Sequence, residues 1–414
     1  MQEELVALQK NETWTLVPPP SPSINVVGSR WVFKTKLHSD GSLDRFKARL
    51  VAKGFSQIPG VDFDETFSPV LKPTTLRLVI ALATTLKWPL RQLDVKNAFL
   101  HGQLKETVYM TQPPGFEDPS YPNYVCKLNK SIYGLKQAPR AWFDTFTLHL
   151  LKMGFKCSQA DSSLFVLHTN HVTALLLLYV DDIVLTSSSA RLLQQIIDHL
   201  SGEFALEDLG TLNYFLGIQV TTFDGGIFLS QGQYANDLLS RTSMLESSTI
   251  ATPLAVKENP TSRDTELVDA KEYRKIVGAL QYLTITRIDI CYAVNKVCQF
   301  MQNPTLAHLR HVNCILRYIK GTLHYGLRFY SCNTLSLTGF CDADWAGCPT
   351  TRRSTTGYCI FLGENCISWS SKKQPTVSRS TAEAEYPALA STTAEIVWLT
   401  YLLRDIGIPL LSPP

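Results

Sequence analysis

The chain has 414 residues, 45% of them hydrophobic and 18% charged, and its 39 Lys and Arg against 36 Asp and Glu leave a net charge of +3. This composition describes a globular protein of roughly two or three domains with a large core, and it excludes a global basic field, so any nucleic-acid site must be a local cluster. The ten Cys form no Cys-x-x-Cys pair, no charged-then-apolar segment opens the chain, and no apolar run nears the roughly 20 residues of a membrane span, which points to reduced thiols in the cytosol or nucleus and away from secretion or membrane insertion.

A short helix is expected before "PPPSPS" (Pro18 to Ser23), a stiff linker. From Ser29, the alternating runs "SRWVFKTKL" and "DRFKARLVAKGF" flank "SDGS", and an Asp-Gly turn in that setting predicts a hairpin. Alternation puts Lys34 and Lys36 on one face of the first strand. It puts Arg45, Lys47 and Arg49 on one face of the second, with Phe46, Ala48 and Leu50 opposite. "TTLRLVIALATTLKW" reads as a helix with Thr74 or Thr75 as N-cap and Pro89 as stop. "LRQLDV" is a strand ending near Asp94, and "PRAWFDTFTLHLLKMG" is a helix between Pro139 and Gly154. "LLLLYVDDIVLT" reads as a hairpin, "RLLQQIIDHL" as an amphipathic helix, and "LNYFLGIQVTTFDGGIFLSQ" as a hairpin with "DGG" at its tip. Three helical segments between Asp269 and Gly321 suggest a small helical subdomain. Strands return with "HYGLRFY", "LSLTGFCDADW", "TTGYCIFLG" and "NCISWSSKKQ", and one long helix from Ser380 closes the chain.

The chemical signal lies in the pair Asp181 and Asp182. They interrupt an apolar run, and no Lys or Arg lies within eight residues on either side. An ionised carboxylate taken out of water without a partner costs several kcal/mol. Acids at strand ends without a basic partner fit a divalent-metal site, because Mg²⁺ takes carboxylate oxygens and completes its shell with waters and substrate phosphates. Two such ions could clamp the attacking and leaving oxygens of a phosphoryl transfer. The plain alternative is a surface turn, where Asp-Asp is common. A third strand-end acid, Asp94, and the upstream basic hairpin favour the metal reading.

"YVDD" resembles the polymerase signature of reverse transcriptases. With "QLDVKNAFLHG", "YGLKQAPRAW", "RFKARLVAKGFSQ", "ETFSPV", "YMTQPPGF" and "YFLGI", the chain resembles the reverse transcriptase of copia-type LTR retrotransposons. "TRIDICYAVN", "LRYIKGTLHYGL" and "DADWAG" resemble the segment that follows it, so the likeness runs from about Trp14 to the end. The resemblance implies an α+β right-hand polymerase, with fingers, a palm built on an antiparallel sheet, and a thumb, followed by an incomplete ribonuclease H-like segment. The implied boundaries are an N-terminal helix and linker over 1–28, fingers and palm over 29–250, a helical thumb or connection over 251–330, and the ribonuclease H-like part over 331–414.

It also implies residue roles. Asp94, Asp181 and Asp182 match the metal-binding palm acids, with two Mg²⁺ ions, or Mn²⁺ in their place. Phe99 matches a steric gate against the ribose 2′-hydroxyl. Gln137 matches a contact to the incoming nucleotide, and Lys36 and Arg49 approach its triphosphate. Each has a bland reading beside it: Phe99 as core, Gln137 as a loop bond, and Lys36, Lys47 and Arg49 as a solvated hairpin face. Asp342 and Glu385 match the first two ribonuclease H carboxylates, with Asp344 and Glu383 as second choices; a surface turn and an exposed helix start are the alternatives. His308, His311 and Cys314 recur every three residues, but such steps drift around a helix and zinc sites are mostly four-coordinate, so helix packing is the reading.

Some features depart from the family. The capsid-like, protease and integrase regions of family polyproteins have no counterpart before the polymerase, which suggests a truncated reading frame. Pro387 stands in a helix interior, where proline costs roughly 3 kcal/mol. Ile288 replaces a proline typical of the family. The ribonuclease H fold continues with a further acid-bearing strand beyond "IGIPLLSPP". The expected function is RNA-directed DNA synthesis from a primer on an RNA or DNA template with deoxynucleoside triphosphates. The expected location is cytoplasmic, in a virus-like particle as in the family, or nuclear. A catalytically silent nucleic-acid-binding remnant is the first rival, and a palm-bearing cyclase or other nucleotidyltransferase the second.

Overall fold

The computed structural model describes residues 1–37, 42–169, 171–254, 264–332, 334–410 and 413. Its centre is a six-stranded antiparallel sheet. The strand order is Leu206–Thr211, Leu90–Val95, Asp182–Ser187, Val172–Tyr179, Leu164–Thr169 and Lys156–Cys157. The run Leu175 to Leu178 is unbroken leucine because both faces of the sheet are covered. Leu176 and Leu178, with Leu93, Ile183 and Leu185, pack on the helices Ala138–Lys152 and Ala190–Glu203. Leu175 and Leu177, with Leu90 and Val184, pack on the helix Pro73–Thr85.

That last helix is buried all round, from Thr75 to Ala83. It starts earlier than the expected Thr74 or Thr75 cap. Lys72 is the N-cap and Pro73 the first helical residue, because the proline ring is already set at a helical φ and has no N–H to lose. Behind the helix lies the C-terminal segment. Three antiparallel strands, Leu337–Asp344, Thr355–Leu362 and Asn365–Lys373, carry the helix Thr381–Ile406, which runs unbroken past Pro387. Leu399, Leu402, Leu403 and Ile406 of this helix join the same core as Leu78 and Ile80. Polar bonds reinforce the seam: the Asp405 carboxylate accepts from Ser158 Oγ at 2.6 Å, and Trp398 Nε1 donates to Ala160 O at 2.9 Å.

The helices Gly232–Arg241, Ala270–Leu283, Cys291–Cys298 and Leu306–Gly321 enclose a separate core around Tyr273, Val277 and Leu316. The strand Gly326–Tyr330 leaves them to pair with Gly226–Ser230 of the expected "DGG" hairpin. At the other end, the helix Gln2–Lys10 and a four-stranded sheet form a third core around Leu8, Val108 and Leu128. The basic hairpin, Ser29–Leu37 with Leu43–Ala52, grows from it; its Asp-Gly turn lies outside the described residues. Leu50 and Ala52 at its base are buried, whereas Phe33 and Phe46 further out are exposed.

Arg77 ties the seam together. It is buried, with Nε on Ile367 O at 2.7 Å, Nη1 on Ile285 O at 2.9 Å, and its guanidinium 3.9 Å from the centre of the Trp369 ring. Burial lowers its pKa to about 10. Arg77→Ala leaves the buried Ile367 carbonyl and the part-buried Ile285 carbonyl unpaired and is expected to destabilise the chain by about 3 kcal/mol. Scanning calorimetry measures this; an unchanged transition temperature would show that the bonds contribute nothing.

Candidate active site

At one end of the central sheet, Asp94 and Asp182 face each other directly across an antiparallel pair, and Glu207 faces Asp94 from the other side. Directly opposed residues project from the same face with Cβ atoms about 5 Å apart. Asp181 sits in the two-residue connection before Asp182. The three acids singled out in the sequence are thus brought to one corner, and Glu207 is an addition. Its strand "LEDLGT" has no clear alternation, so nothing local marks it.

The corner is only partly compensated in charge. Burial raises the pKa of Asp182 to about 6, with the Asp181 and Asp94 charges adding to it and no cation opposing. Burial raises Asp94 as well, with Asp181 and Glu207 adding, while Lys47 and Lys96 pull the other way. Lys96 pairs with Glu207 at 3.0 Å. Lys47 belongs to the basic hairpin face, where Lys34 opposes Lys47 and Lys36 opposes Arg45 in register. Through Lys47, that face acts on the charge at Asp94. The side chain of Lys36 lies outside the described part of the chain.

Clustered carboxylate oxygens are the right chemistry for a hard divalent ion. Among the described residues, however, no three His, Cys, Asp or Glu side chains converge closely enough to hold a metal by themselves. The set fits an ion held by one or two carboxylates with phosphate oxygens completing its shell.

Phe99 follows Asp94 in the short 3₁₀ segment Ala98–His101, after Asn97 turns the chain at φ +56°. Its half-buried ring meets Tyr133 edge-on at 4.8 Å, and the Arg49 guanidinium lies 4.4 Å over the same Tyr133 ring. Arg49 Nε is buried without a hydrogen-bond partner. Tyr133, the first residue of "YGLKQAP", thus links Phe99 and Arg49. Gln137 is buried, accepting from Gln57 Nε2 at 2.9 Å and donating to Asp62 O at 2.8 Å, so it fastens the loop 57–62 to the start of the helix Ala138–Lys152.

The C-terminal acids do not share one face. Asp342 and Asp344 line a cavity of about 430 Å³ with Phe340 and Trp369. Ala343, between them, packs on Ala384 and Ala388 of the helix that bears Glu385. Glu385 Oε1 accepts from Ala343 N at 3.3 Å. Asp344 accepts from Thr355 N and Glu383 from Arg379 N, so both acids close local turns. His308 caps its own helix, with Nδ1 on Thr305 N at 3.0 Å, and stacks on Phe300.

A profile described as "Reverse transcriptase (RNA-dependent DNA polymerase)" matches residues 11–256. The Pol polyprotein of transposon RE2 from Arabidopsis thaliana is 50% identical over 415 residues, covering 100% of this chain and 28% of its own length. The Pol polyprotein of transposon TNT 1-94 from Nicotiana tabacum is 41% identical, covering 99% of this chain and 31% of its own length. A putative transposon Ty5-1 protein from Saccharomyces cerevisiae is 32% identical and is covered over 100% of its length. The chain belongs to the reverse transcriptase family, in the form carried by copia-type retrotransposon Pol polyproteins. It spans under a third of those polyproteins.

The raised carboxylate pKa values carry a stability signature. The folded state holds the Asp182 proton more tightly than the unfolded chain, so this contribution is full below pH 3.8 and lost as pH rises through about 6. Asp182 is half-buried, and after discounting for solvent screening about 1 kcal/mol remains. Asp182→Asn should therefore stabilise the chain by that amount at pH 7.5 and leave it unchanged at pH 3.5. Millimolar Mg²⁺ should narrow the gap at pH 7.5 by stabilising the wild type. Urea unfolding at both pH values checks the sign; equal midpoints at pH 7.5 would remove the repulsion argument.

Proposed function

We propose that this chain is an RNA-directed DNA polymerase that extends a primer, on an RNA or DNA template, with deoxynucleoside triphosphates. The observation that carries the reading is Asp94 opposite Asp182, with Asp181 adjacent and no cation acting on Asp182. Asp94, Asp181 and Asp182 would hold Mg²⁺, or Mn²⁺ in its place. When bound, the ion would supply Lewis-acid stabilisation of phosphoryl oxygens and a more acidic primer hydroxyl.

The remaining roles belong to the chain itself. The basic face of the hairpin, with Arg49 and Lys36, neutralises the triphosphate. Tyr133 sets the height of Arg49, and Phe99 on the other edge of Tyr133 closes the space beside the sugar. Gln137 acts by fastening the loop 57–62 to the start of the helix Ala138–Lys152. In this reading the hairpin and the central sheet belong to the fingers and palm over 29–250, the helical core is the thumb over 251–330, and 331–414 is a ribonuclease H-like part. The segment 1–28 buttresses the finger. The chain would act in the cytoplasm, in a virus-like particle, or in the nucleus; among the described residues no helix is long and apolar enough to cross a membrane. Cleavage of RNA is not expected, because Asp342 lines a cavity on the face away from the helix that carries Glu385.

A second reading, a silent nucleic-acid-binding remnant, draws on the lack of three convergent ligands among the described residues. Primer extension separates the two. Wild type should extend, and Asp94→Asn should lose roughly a thousandfold or more, since charge stabilisation of the transition state is removed. Extension by Asp94→Asn at the wild-type rate ends the assignment. Phe99→Val should admit ribonucleotides, and a variant that still rejects them makes Phe99 a core residue. A labelled RNA–DNA hybrid should stay intact in Mg²⁺ and Mn²⁺; cleavage that Asp342→Asn abolishes would restore the ribonuclease.

A further inference from the structure

The strands Val172–Tyr179 and Asp182–Ser187 are joined by only two residues, Val180 and Asp181. A two-residue connection follows the twist of its strands only with a positive φ at its first position, which is why Gly and Asn are favoured there. Here that residue is Val180, at φ +54°. A β-branched residue is a poor occupant of the left-handed region, because its Cβ crowds the following carbonyl. The turn is restrained from outside at both of its carbonyls. Asp181 O accepts from Val95 N at 2.9 Å, which ties the turn to the residue after Asp94. Val180 O accepts from the indole Nε1 of Trp142 at 2.6 Å.

Trp142 is well suited to hold that bond. It comes from the helix Ala138–Lys152 and is fully buried. Its ring lies 5.0 Å from Phe146, 5.5 Å from Phe204 and 5.9 Å from His101, centre to centre. Gly102 backs the same helix so closely that a Cβ there would stand 2.7 Å from Trp142 N. The indole is thus the fixed end of the bond and the turn the adjustable end.

We infer that Trp142 is a positioning residue of the carboxylate cluster. Its N–H holds the Val180 peptide in the left-handed turn and so sets the directions in which Asp181 and Asp182 present their oxygens. It touches no reacting atom. The inference rests on the polymerase reading for its kinetic consequence only; ligand direction is measurable without turnover.

The test is Trp142→Phe, which removes the donor and keeps an aromatic ring in the packing. Mn²⁺ alone, titrated into the full chain and followed by its EPR signal, reads ligand direction. Trp142→Phe should weaken Mn²⁺ binding about tenfold, the range for residues that orient ligands. Adding Val180→Gly should recover most of that loss, because glycine occupies positive φ without restraint. In primer extension, kcat should fall about a hundredfold, as for a small displacement of reacting groups, with KM for primer–template unchanged. A wild type that binds Mn²⁺ but extends nothing sinks the polymerase reading and leaves the positioning test intact. A folded Trp142→Phe with wild-type Mn²⁺ affinity overturns the inference, as does a wild type that binds no Mn²⁺. A loss that Val180→Gly does not relieve, accompanied by a lower Tm, assigns Trp142 to core packing and overturns it equally.

Discussion

Everything at the candidate site depends on one register, that of Leu90–Val95 against Asp182–Ser187. It places Asp94 opposite Asp182 rather than one residue away. A slip by one would send one acid to the other face of the sheet, into the core around Trp142. The leucines cannot enforce the adjoining register, that of Val172–Tyr179 against Asp182–Ser187. Leu175 to Leu178 are buried on both faces, so a slipped strand would bury leucine just as well. The two-residue turn sets that register, and the Val95 to Asp181 bond then ties Leu90–Val95 to the turn and so to Asp182. The most apolar stretch of the chain is thus aligned by its few polar atoms.

The same register makes the corner unfavourable on its own. Asp94 meets Asp182 on one side and Glu207 on the other, and among the described residues Lys47 and Lys96 oppose the charge at Asp94. Repulsion of this kind persists only where the surrounding packing over-determines the geometry. Here the packing comes from both faces: the helices around Trp142 and Phe146 on one, the helix Pro73–Thr85 on the other. A site that is strained without its ion and relieved with it gains affinity from that difference, provided the scaffold does not relax first.

How far this was legible in the sequence depends on the range of the interaction. The basic hairpin was readable because its alternation is local, and its register brings Lys34, Lys47 and Arg45 to one face as the period of two requires. Asp94, Asp181 and Asp182 were readable because an acid inside or ending an apolar strand stands out. Glu207, Tyr133 and Trp142 were not, since each owes its place to pairings across long sequence separations. Asp342 and Glu385 are the opposite case. Their neighbourhood matched a known pattern, yet the alternation Asp342, Ala343, Asp344 already put Ala343 alone toward one face. Local period argued against the motif, and in the structure Ala343 is the residue that meets the helix.

The C-terminal segment then needs a physical reason other than its acids, and the core supplies one. The helix Pro73–Thr85 has no solvent-facing side; its nine central residues are all buried, and Arg77 among them spends its hydrogen bonds on Ile367 and Ile285. Such a helix is stable only with a layer on each side. One layer is the sheet that carries Asp94 and Asp182. The other includes Ile360, Ile367, Leu399 and Leu403, all from the C-terminal strands and helix. Removing that layer would expose a largely apolar helix directly behind the sheet that carries Asp94 and Asp182. The segment therefore supports the carboxylate corner mechanically, and this support is independent of whether Asp342 or Glu385 performs any chemistry.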